Sequence, residues 1–386
     1  MKLALLAPEN SPSWGGVGSY TYNLANNLPK DIEIHIITID RDVNDSYEKI
    51  IKNENVKIHK ITKVSANDSF FYNPKFQMAL FRKIRKLNQT YNFDLIHSHS
   101  GHLPHYFSQF WNLAPMIVTV HTETRGWKEA RNLVKYNKDR IEIMSDLVSP
   151  FISFGEKVTF KRSQMLLPIS QFTLNQINDL YGVNTDGRAQ VIHNGVNTDL
   201  FKSLEIENND KITISFLGRF ISIKGAEIFL DSIKKINNNG YDIRVLLGGR
   251  ADAAYLKRIL PSMQDKISYF GRIPYHEMPN VYNKSDIVVV PSLYEGCSGT
   301  ILEAMACGNI VIASDVGGTS EIIEDGHNGI LFKPRDSFEL SNKIIDVIEE
   351  NIEINSIRKN GMQNILNNFS WQDKAKEVYE SYSKLV

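Results

Sequence analysis

The feature that most limits the fold of this chain is a regular alternation of short apolar runs with longer amphipathic stretches. Runs of this kind are typical of strands buried on both faces of a parallel sheet that is covered by helices. The sequence therefore predicts an α/β fold. In the first half the runs are LALLA (3–7), IEIHIITI (32–39), VKIHKI (56–61), DLIHSH (94–99) and MIVTVHT (116–122), and the stretches between them include 20–28 and 76–87.

The alternation is interrupted by a helical portion over 124–190 and then starts again. Two similar halves indicate two doubly wound domains. A single (β/α)₈ barrel has the same alternation, but the interruption counts against it. The polar, turn-rich stretch 183–210 reads as a linker, so we predict domains over 1–190 and 191–369 and a closing helix over 370–386. The second set of runs is ITISFLG (212–218), IRVLLGG (243–249), ISYFG (267–271), IVVVPS (287–292) and IVIASD (310–315).

Composition excludes several classes of protein. The 44 basic and 44 acidic residues cancel, which argues against a nucleic-acid binder that relies on bulk charge. Two cysteines, Cys297 and Cys307, form no disulfide framework or zinc motif and are interpreted as small buried side chains in a reducing cytosol. The start, MKLALLAPEN, is too short an apolar run for a signal peptide, and no window approaches the ~18–20 apolar residues of a membrane span. We therefore expect a cytoplasmic protein.

Ligands of open parallel sheets bind beyond the carboxyl ends of the strands, so the residues that follow each run are candidates. SWGGVGSY (13–20) follows the first run and opens a helix, which suits either a phosphate or an ordinary glycine turn. It lacks the full G-x-G-x-x-G pattern, which argues against a nicotinamide oxidoreductase. LGRFISIKG (217–225) places Arg219 and Lys224 between a strand and a helix, where they either neutralise a diphosphate or remain solvated surface charges.

Two glutamates stand at another strand-to-helix turn, in PSLYEGCSGTILEAMACGN (291–309). Charge at such a turn is costly to bury, and carboxylates accept hydrogen bonds well from sugar hydroxyls. Glu295 and Glu303 on either side of an anion-binding turn therefore suit a sugar nucleotide. The alternative is a helix cap with a first-turn glutamate that the helix dipole favours.

Histidines also stand where strands are predicted to end. His97 and His99 close DLIHSHS and His121 closes IVTVHT, so they are expected to face the ligand-binding edge. His102 and His105 follow nearby, but no carboxylate or cysteine stands at a matching spacing. No metal site is predicted.

Together these segments resemble the retaining glycosyltransferases of family 4. The similarity is strongest in GGVGSYTYNLANNL, HNGVN, LGRFISIKG and the stretch from GRIPYHEM to SEII, which holds the family's pair of glutamates with seven residues between them. The resemblance implies the GT-B fold, in which two Rossmann-like domains face a cleft and the C-terminal helix crosses back to the N-terminal domain. The N-terminal domain would bind the acceptor and the C-terminal domain the nucleotide sugar.

The resemblance also implies roles for the four charged residues. Glu303 would hold the ribose hydroxyls of a nucleotide, and Glu295 would contact the hydroxyls of the donor sugar. Arg219 and Lys224 would neutralise the diphosphate leaving group without a metal ion or other cofactor. Glu295, His121, Arg219 and Lys224 are thus the predicted catalytic residues.

The remaining predicted donor contacts come from backbone groups and from residues at the rim of the site. They are Gly16 at the phosphates, Cys297 and Ser298 at the sugar, Gly299 and Thr300 at the phosphate, Arg272 and Ile273 at the base, and His121 at the sugar. Many family members have Gly-Phe-Gly after the first glutamate, whereas this chain has GCSG over 296–299. The hydroxyl of Ser298 therefore leaves the identity of the sugar open.

The implied reaction transfers a hexose-type sugar, with retention of anomeric configuration, from a nucleoside-diphosphate sugar to a hydroxyl of a glycan or lipid-linked glycan. A sugar-nucleotide epimerase of the same shape and a non-catalytic nucleotide-sugar-binding protein are the alternatives. No nucleic-acid partner is expected, and the sequence predicts no oligomeric state.

The stretch FQMALFRKIRKLN (76–88) bears on a peripheral contact with the inner membrane face. Its apolar stripe, with Arg82, Lys83 and Lys86 beside it, could rest on anionic lipid. The same pattern equally predicts a helix that packs on the sheet and exposes a solvated basic face.

Overall fold

The computed structural model describes residues 1–66, 68, 71–99, 111, 113–132, 140–204, 211–250 and 265–386, without the side chains of 140–146. The chain divides into two compact units. The first contains Met1–Glu129, Asn137–Asn194 and Trp371–Val386, and the second contains Ala130–Tyr136 and Gly195–Ser370.

The described part of the first unit is built on a six-stranded parallel sheet of order β3-β2-β1-β4-β5-β6. β1 therefore lies between β2 and β4. The sheet extends from β1 through β2 and β3 on one side and through β4, β5 and β6 on the other. The strands are β1 (Lys2–Leu6), β2 (Glu33–Asp40), β3 (Val56–Lys63), β4 (Leu95–His99), β5 (Met116–Val120) and β6 (Met165–Pro168). The helices before residue 195 are α1 (Gly16–Asn27), α2 (Tyr47–Ile50), α3 (Tyr72–Tyr91), α4 (Thr124–Asn132), α5 (Arg140–Arg162) and α6 (Gln171–Tyr181).

The second unit repeats this architecture with a six-stranded parallel sheet of order β12-β11-β10-β7-β8-β9 among its described residues. Here β7 lies between β10 and β8. The strands are β7 (Thr213–Leu217), β8 (Arg244–Gly248), β9 (Ile267–Tyr269), β10 (Ile287–Val290), β11 (Ile310–Ser314) and β12 (Ile330–Phe332). The helices are α7 (Ala226–Asn238), α8 (Met278–Asn283), α9 (Gly299–Ala306), α10 (Ser337–Ile348) and α11 (Ile354–Asn368), and α12 (Trp371–Tyr382) follows them.

Two separate sheets confirm the prediction of two doubly wound domains and exclude the single barrel. Every predicted apolar run forms a strand. The strands β1, β4, β5, β7 and β11 are buried over all or nearly all of their length, as expected for runs that are apolar on both faces. The sequence prediction missed β6 and β12. These strands are only four and three residues long, too short for a periodic pattern to stand out against the helices beside them.

The last helix packs on the first unit. Trp371, Ala375, Val378 and Tyr382 stand at helical spacing on one face of α12, and all four are buried in the cluster that contains Leu3 and Leu5 of β1. Full burial of side chains as large as Val378 or larger stabilises a fold by roughly 1.5–3 kcal/mol each. Among the helices that the structure describes, none has the length and hydropathy to cross a membrane.

Candidate active site

A cavity of the second unit lies where β7 and β10 stand side by side. The chain leaves these two strands toward opposite sides of the sheet, and a crevice of this kind is where doubly wound sheets bind ligands. The cavity is therefore a candidate substrate site. It is lined by Phe216, Leu217, Gly218, Lys224, Val289, Val290, Pro291, Ser292, Glu295 and Thr300.

Lys224 reaches this cavity because of a tight turn after β7. A 3₁₀ turn over Ser222–Lys224 ends at Gly225, whose φ of 69° lies in the left-handed region. A Cβ at Gly225 would lie 1.9 Å from the carbonyl oxygen of Pro291. Glycine is therefore required for the turn to pass so close to the end of β10, and this close passage fixes the place of Lys224.

Lys224 and Glu295 form an ion pair inside the cavity. The Nζ atom of Lys224 lies 2.6 Å from Oε1 of Glu295, and the Ser292 hydroxyl donates to the same oxygen at 2.6 Å. The Glu295 side chain is only 9% exposed, so these two partners offset the cost of burying its charge. The sequence predicts different donor contacts for the two residues, and in the structure they contact each other.

Arg219 follows β7 directly and differs from Lys224 in its surroundings. Its side chain is exposed, and it makes no ion pair with any residue that the structure describes. An exposed guanidinium keeps its charge and its five N–H donors available for an anion. The position therefore suits the predicted contact with a diphosphate.

Glu303 is held by a tyrosine that the sequence analysis did not identify. The hydroxyl of Tyr282, on α8, donates to Oε2 of Glu303 at 2.8 Å, and Tyr282 is fully buried. Burial raises the pKa of Glu303 to about 7, and the hydrogen bond from Tyr282 opposes that rise. Glu303 is therefore close to half-ionised at neutral pH.

The turn between Glu295 and Glu303 ends in the N-terminus of α9. Ser298 is the residue that precedes the helix, and its side chain makes no capping hydrogen bond. Cys297 and Ser298 are buried, whereas Gly299 is exposed and Thr300 partly exposed. The first N–H groups of α9 are therefore not taken by the cap side chain, as an anion-binding turn requires.

Arg272 and Ile273 come after β9, at the same edge of the sheet. Arg272 is exposed, and Ile273 packs so closely over the end of β8 that a Cβ at Gly248 would lie 2.6 Å from its Cδ1 atom. The structure thus gathers the predicted residues of the second unit at the carboxyl edge of one sheet. Their contacts with a base stay a prediction.

The glycine turn of the first unit has a structural explanation of its own. The backbone N–H of Gly18 donates to Oε2 of Glu9 at 2.6 Å, and a Cβ at Gly18 would lie 2.1 Å from the carbonyl oxygen of Ser11. A Cβ at Gly15 would lie 2.6 Å from Glu9 Oε1, whereas a Cβ at Gly16 would meet nothing within 4 Å. Gly18, where a Cβ would clash with backbone, is thus needed by the turn itself. The phosphate contact of Gly16 stays a prediction.

His121 belongs to a chain of hydrogen bonds at the carboxyl edge of the first sheet. Its Nε2 lies 3.2 Å from Nδ1 of His99, whose Nε2 lies 3.2 Å from the hydroxyl of Thr21. That hydroxyl donates its proton to the carbonyl oxygen of Val17, so it accepts from His99. The network therefore assigns the proton of His121 to Nε2 and leaves Nδ1 as an acceptor. Burial lowers the pKa of His121 to about 4, which keeps the ring neutral.

His97 is a structural residue. Its Nδ1 lies 2.6 Å from the hydroxyl of Tyr382 on α12, and its Nε2 lies 2.8 Å from the hydroxyl of Thr119. Burial lowers its pKa to about 3. His102 and His105 lie outside the described residues. Within the described ranges, no three His, Cys, Asp or Glu side chains form a group that could hold a metal ion.

Two sequence profiles of known families match this chain. One is described as Glycosyl transferases group 1 and matches residues 211–350, and the other is described as Glycosyltransferase Family 4 and matches residues 14–200. The chain belongs to glycosyltransferase family 4.

Several known proteins are similar to this family 4 glycosyltransferase over their full length. An uncharacterised glycosyltransferase of Methanocaldococcus jannaschii is 26% identical over 97% of this chain and 96% of its own. Sucrose-phosphate synthase of Thermosynechococcus elongatus superposes with a TM-score of 0.79 at 22% identity, covering 100% of this chain and 99% of its own. HepE of Anabaena, solved in complex with UDP-glucose, superposes with a TM-score of 0.76 at 17% identity, covering 100% of both chains. These superpositions confirm the predicted GT-B fold.

Each unit of the glycosyltransferase also contains residues that the sequence analysis did not identify. Tyr282, Ser292, Thr21 and Glu9 each hold a predicted site residue or turn. Tyr282 lies 21 positions before Glu303, and Thr21 lies 78 positions before His99. Such pairs depend on how the elements pack, so no local spacing could have revealed them.

We expect the pKa of Glu303 to control the pH dependence of nucleotide binding. Ribose hydroxyls donate best to the ionised carboxylate, so the affinity for a nucleoside diphosphate should fall as the pH drops below about 7. Tyr282→Phe removes a hydrogen bond that favours the ionised form and should move this midpoint to higher pH. Titration calorimetry over a pH series measures both effects.

Glu303→Gln is the control for this pH series, because any pH dependence that it retains belongs to the diphosphate. An unchanged midpoint in Tyr282→Phe would contradict the role of the hydroxyl.

Proposed function

We propose that this glycosyltransferase moves a hexose-type sugar from a nucleoside-diphosphate sugar to a hydroxyl of a glycan or lipid-linked glycan, with retention of configuration. The observation that carries the proposal is a cavity of the second unit, which Lys224, Glu295 and the first turn of α9 share. Cations, a carboxylate and helix N–H groups at one strand edge match the charges and hydroxyls of a sugar nucleotide.

The positive groups act on the leaving group. As the bond from the anomeric carbon to the diphosphate breaks, negative charge grows on the phosphate oxygens, and fixed positive groups stabilise that state more than the bound substrate. Lys224 lines the cavity, and the exposed Arg219 directly follows Gly218, which also lines it. These two side chains would supply the charge that a metal ion supplies in other transferases.

The two carboxylates orient the donor. Lys224 and Ser292 both bind Oε1 of Glu295, so the second oxygen, Oε2, can accept a sugar hydroxyl. Tyr282 binds Oε2 of Glu303, which leaves Oε1 toward Gly299 for a ribose hydroxyl. Fixed carboxylates select the donor by geometry, since each hydroxyl must meet an oxygen that is already aligned.

Retention follows from a front-face route. The acceptor oxygen bonds to the anomeric carbon on the face from which the diphosphate leaves, and the proton of the acceptor hydroxyl passes to the departing phosphate oxygen. Glu295 is tied to Lys224 and Ser292, so it acts as a positioning carboxylate in this route rather than as a nucleophile.

The proposal is tested by a thermal-shift screen of nucleoside diphosphates followed by product analysis. HepE was solved with UDP-glucose, which makes UDP-sugars the first donors to test. A ligand that binds only the folded chain raises its melting temperature. NMR of the product should show the anomeric configuration of the donor, and the opposite anomer would overturn retention. An isomerised donor formed without any acceptor would instead identify an epimerase.

We expect transfer to continue at an unchanged rate in excess EDTA, because Arg219 and Lys224 carry the charge of a metal ion. The measurement is the initial rate with the identified donor, before and after chelation, with magnesium restored in a third sample. A rate that falls with EDTA and returns with magnesium would refute metal independence.

A further inference from the structure

Helix α5 exposes apolar side chains and buries polar ones, the reverse of an ordinary surface helix. Leu147, Phe151 and Phe154 stand at i, i+4 and i+7 on one face, and they are 71%, 80% and 63% exposed. Ser149 and Ser153, on the opposite face, are buried. Apolar side chains therefore face outward over at least two turns, and such a patch marks an interaction surface.

Hydrogen bonds of its polar face fix α5 in this orientation. Glu156 accepts from the backbone N–H of Thr124 at 3.1 Å, from the Thr124 hydroxyl at 2.7 Å and from the hydroxyl of Tyr181. Lys128 donates to the hydroxyl of Ser149 at 2.8 Å. A rotation that buried Phe151 would break all these bonds and leave the Glu156 charge unpaired, which is strongly disfavoured.

The same face of the sheet carries a second helix with an exposed basic surface. Phe76, Leu80 and Ile84 of α3 pack in a cluster that includes Met116 of β5, whereas Phe160 of α5 packs on Val118. Met116 and Val118 are two positions apart on β5, so their side chains point to the same face of the sheet. Helices α3 and α5 therefore lie in one layer. The apolar stripe of α3 is thus buried against the sheet, as the second sequence interpretation has it.

Charge identifies the partner of this layer. Helix α3 holds five basic residues and no acidic one, and 147–162 holds three basic residues and one acid, the buried Glu156. Phe71, which directly precedes α3, and Met78 and Phe81 of α3 are exposed beside those charges. Lys75 of α3 pairs with Asp68, whereas the other four basic residues of this helix make no ion pair with a described residue. Exposed aromatic side chains beside such positive charge are what an anionic bilayer surface binds. A second copy on this face would bring like charges together.

We propose that the face formed by α3 and the Leu147–Phe154 side of α5 docks on an anionic lipid surface. Phe151 and Phe154 enter the boundary between headgroups and acyl chains, and the basic side chains lie on the anionic headgroups. The contact is peripheral and needs neither donor nor acceptor, so it does not depend on the proposed transfer activity.

The test is sedimentation of the full chain with vesicles of phosphatidylcholine alone or mixed with phosphatidylglycerol, without any nucleotide. Wild-type protein should bind the mixed vesicles, and salt should weaken binding. The double variant Phe151→Ser/Phe154→Ser should lower the partition coefficient at least about tenfold. Lys157→Gln/Lys161→Gln should lower it by about fivefold for each charge removed.

The matched control is Phe338→Ser/Leu366→Ser, which removes two apolar side chains of similar exposure from the second unit. It should bind vesicles like the wild type, and circular dichroism verifies that all variants fold. Three results would overturn the proposal: no binding by the wild type, equal binding by the Phe151/Phe154 variant, or equal binding to neutral vesicles. A dimer in light scattering that this variant abolishes, without vesicle binding, would assign the face to a second copy.

Discussion

Lys224→Ala should lower kcat/KM for sugar transfer by about 10²–10³-fold, the effect of removing one fixed positive group that faces a developing negative charge. Lys224 is the cation inside the cavity, and no other lysine lines it among the described residues. The measurement is the initial rate at varied donor and fixed acceptor. Lys234→Ala, at a partly exposed lysine on α7 that pairs with Asp231, is the control and should behave like the wild type.

The ion pair with Glu295 offers a second explanation of any loss, because Lys224→Ala leaves that buried carboxylate with Ser292 alone. Combining Glu295→Gln with Lys224→Ala in one chain distinguishes the two explanations. If Lys224 acts on the leaving group, the double variant stays as slow as Lys224→Ala or becomes slower. Recovery of the rate in the double variant would show that the unpaired carboxylate caused the loss and would contradict the proposed role.

Gly225→Ala should destabilise the second unit by about 4 kcal/mol. Part of this free energy is the cost of a left-handed backbone for alanine, and the rest is the displacement of Pro291, whose carbonyl oxygen would lie 1.9 Å from the new Cβ atom. Urea unfolding of the full chain, followed by circular dichroism, measures the change.

Gly240→Ala is the matched control for this loss. Gly240 has a φ of 87°, but a Cβ there meets nothing within 4 Å, so this variant should lose only about 1 kcal/mol. Equal losses in the two variants would mean that the contact with Pro291 contributes nothing.

The sequence predicts most of the strands and the charged residues at the edge of the second sheet, because both depend on local patterns. Buried runs predict the strands, and residues after those runs, such as Arg219, Lys224 and Glu295, must lie at one edge of a parallel sheet. The bond between Tyr282 and Glu303 depends on how α8 packs against α9, which no spacing encodes.

Helix α5 shows a second limit of prediction from sequence. A helical pattern in 147–154 indicates an apolar face, and the usual inference would bury it. The structure exposes it instead, because Glu156 finds its partners Thr124 and Tyr181 on the side toward the sheet. The preference of one buried carboxylate for its hydrogen bonds thus decides the orientation of the whole helix.

Helix α12 has a consequence for biosynthesis. Its residues Trp371, Val378 and Tyr382 fill the core around β1, and Tyr382 binds His97 of β4, yet the ribosome makes them only after all of 195–370. The sheet that is translated first must therefore keep part of its apolar core exposed until α12 has been made. A nascent chain stalled before Trp371 should remain protease-sensitive in its N-terminal residues and bind chaperones there.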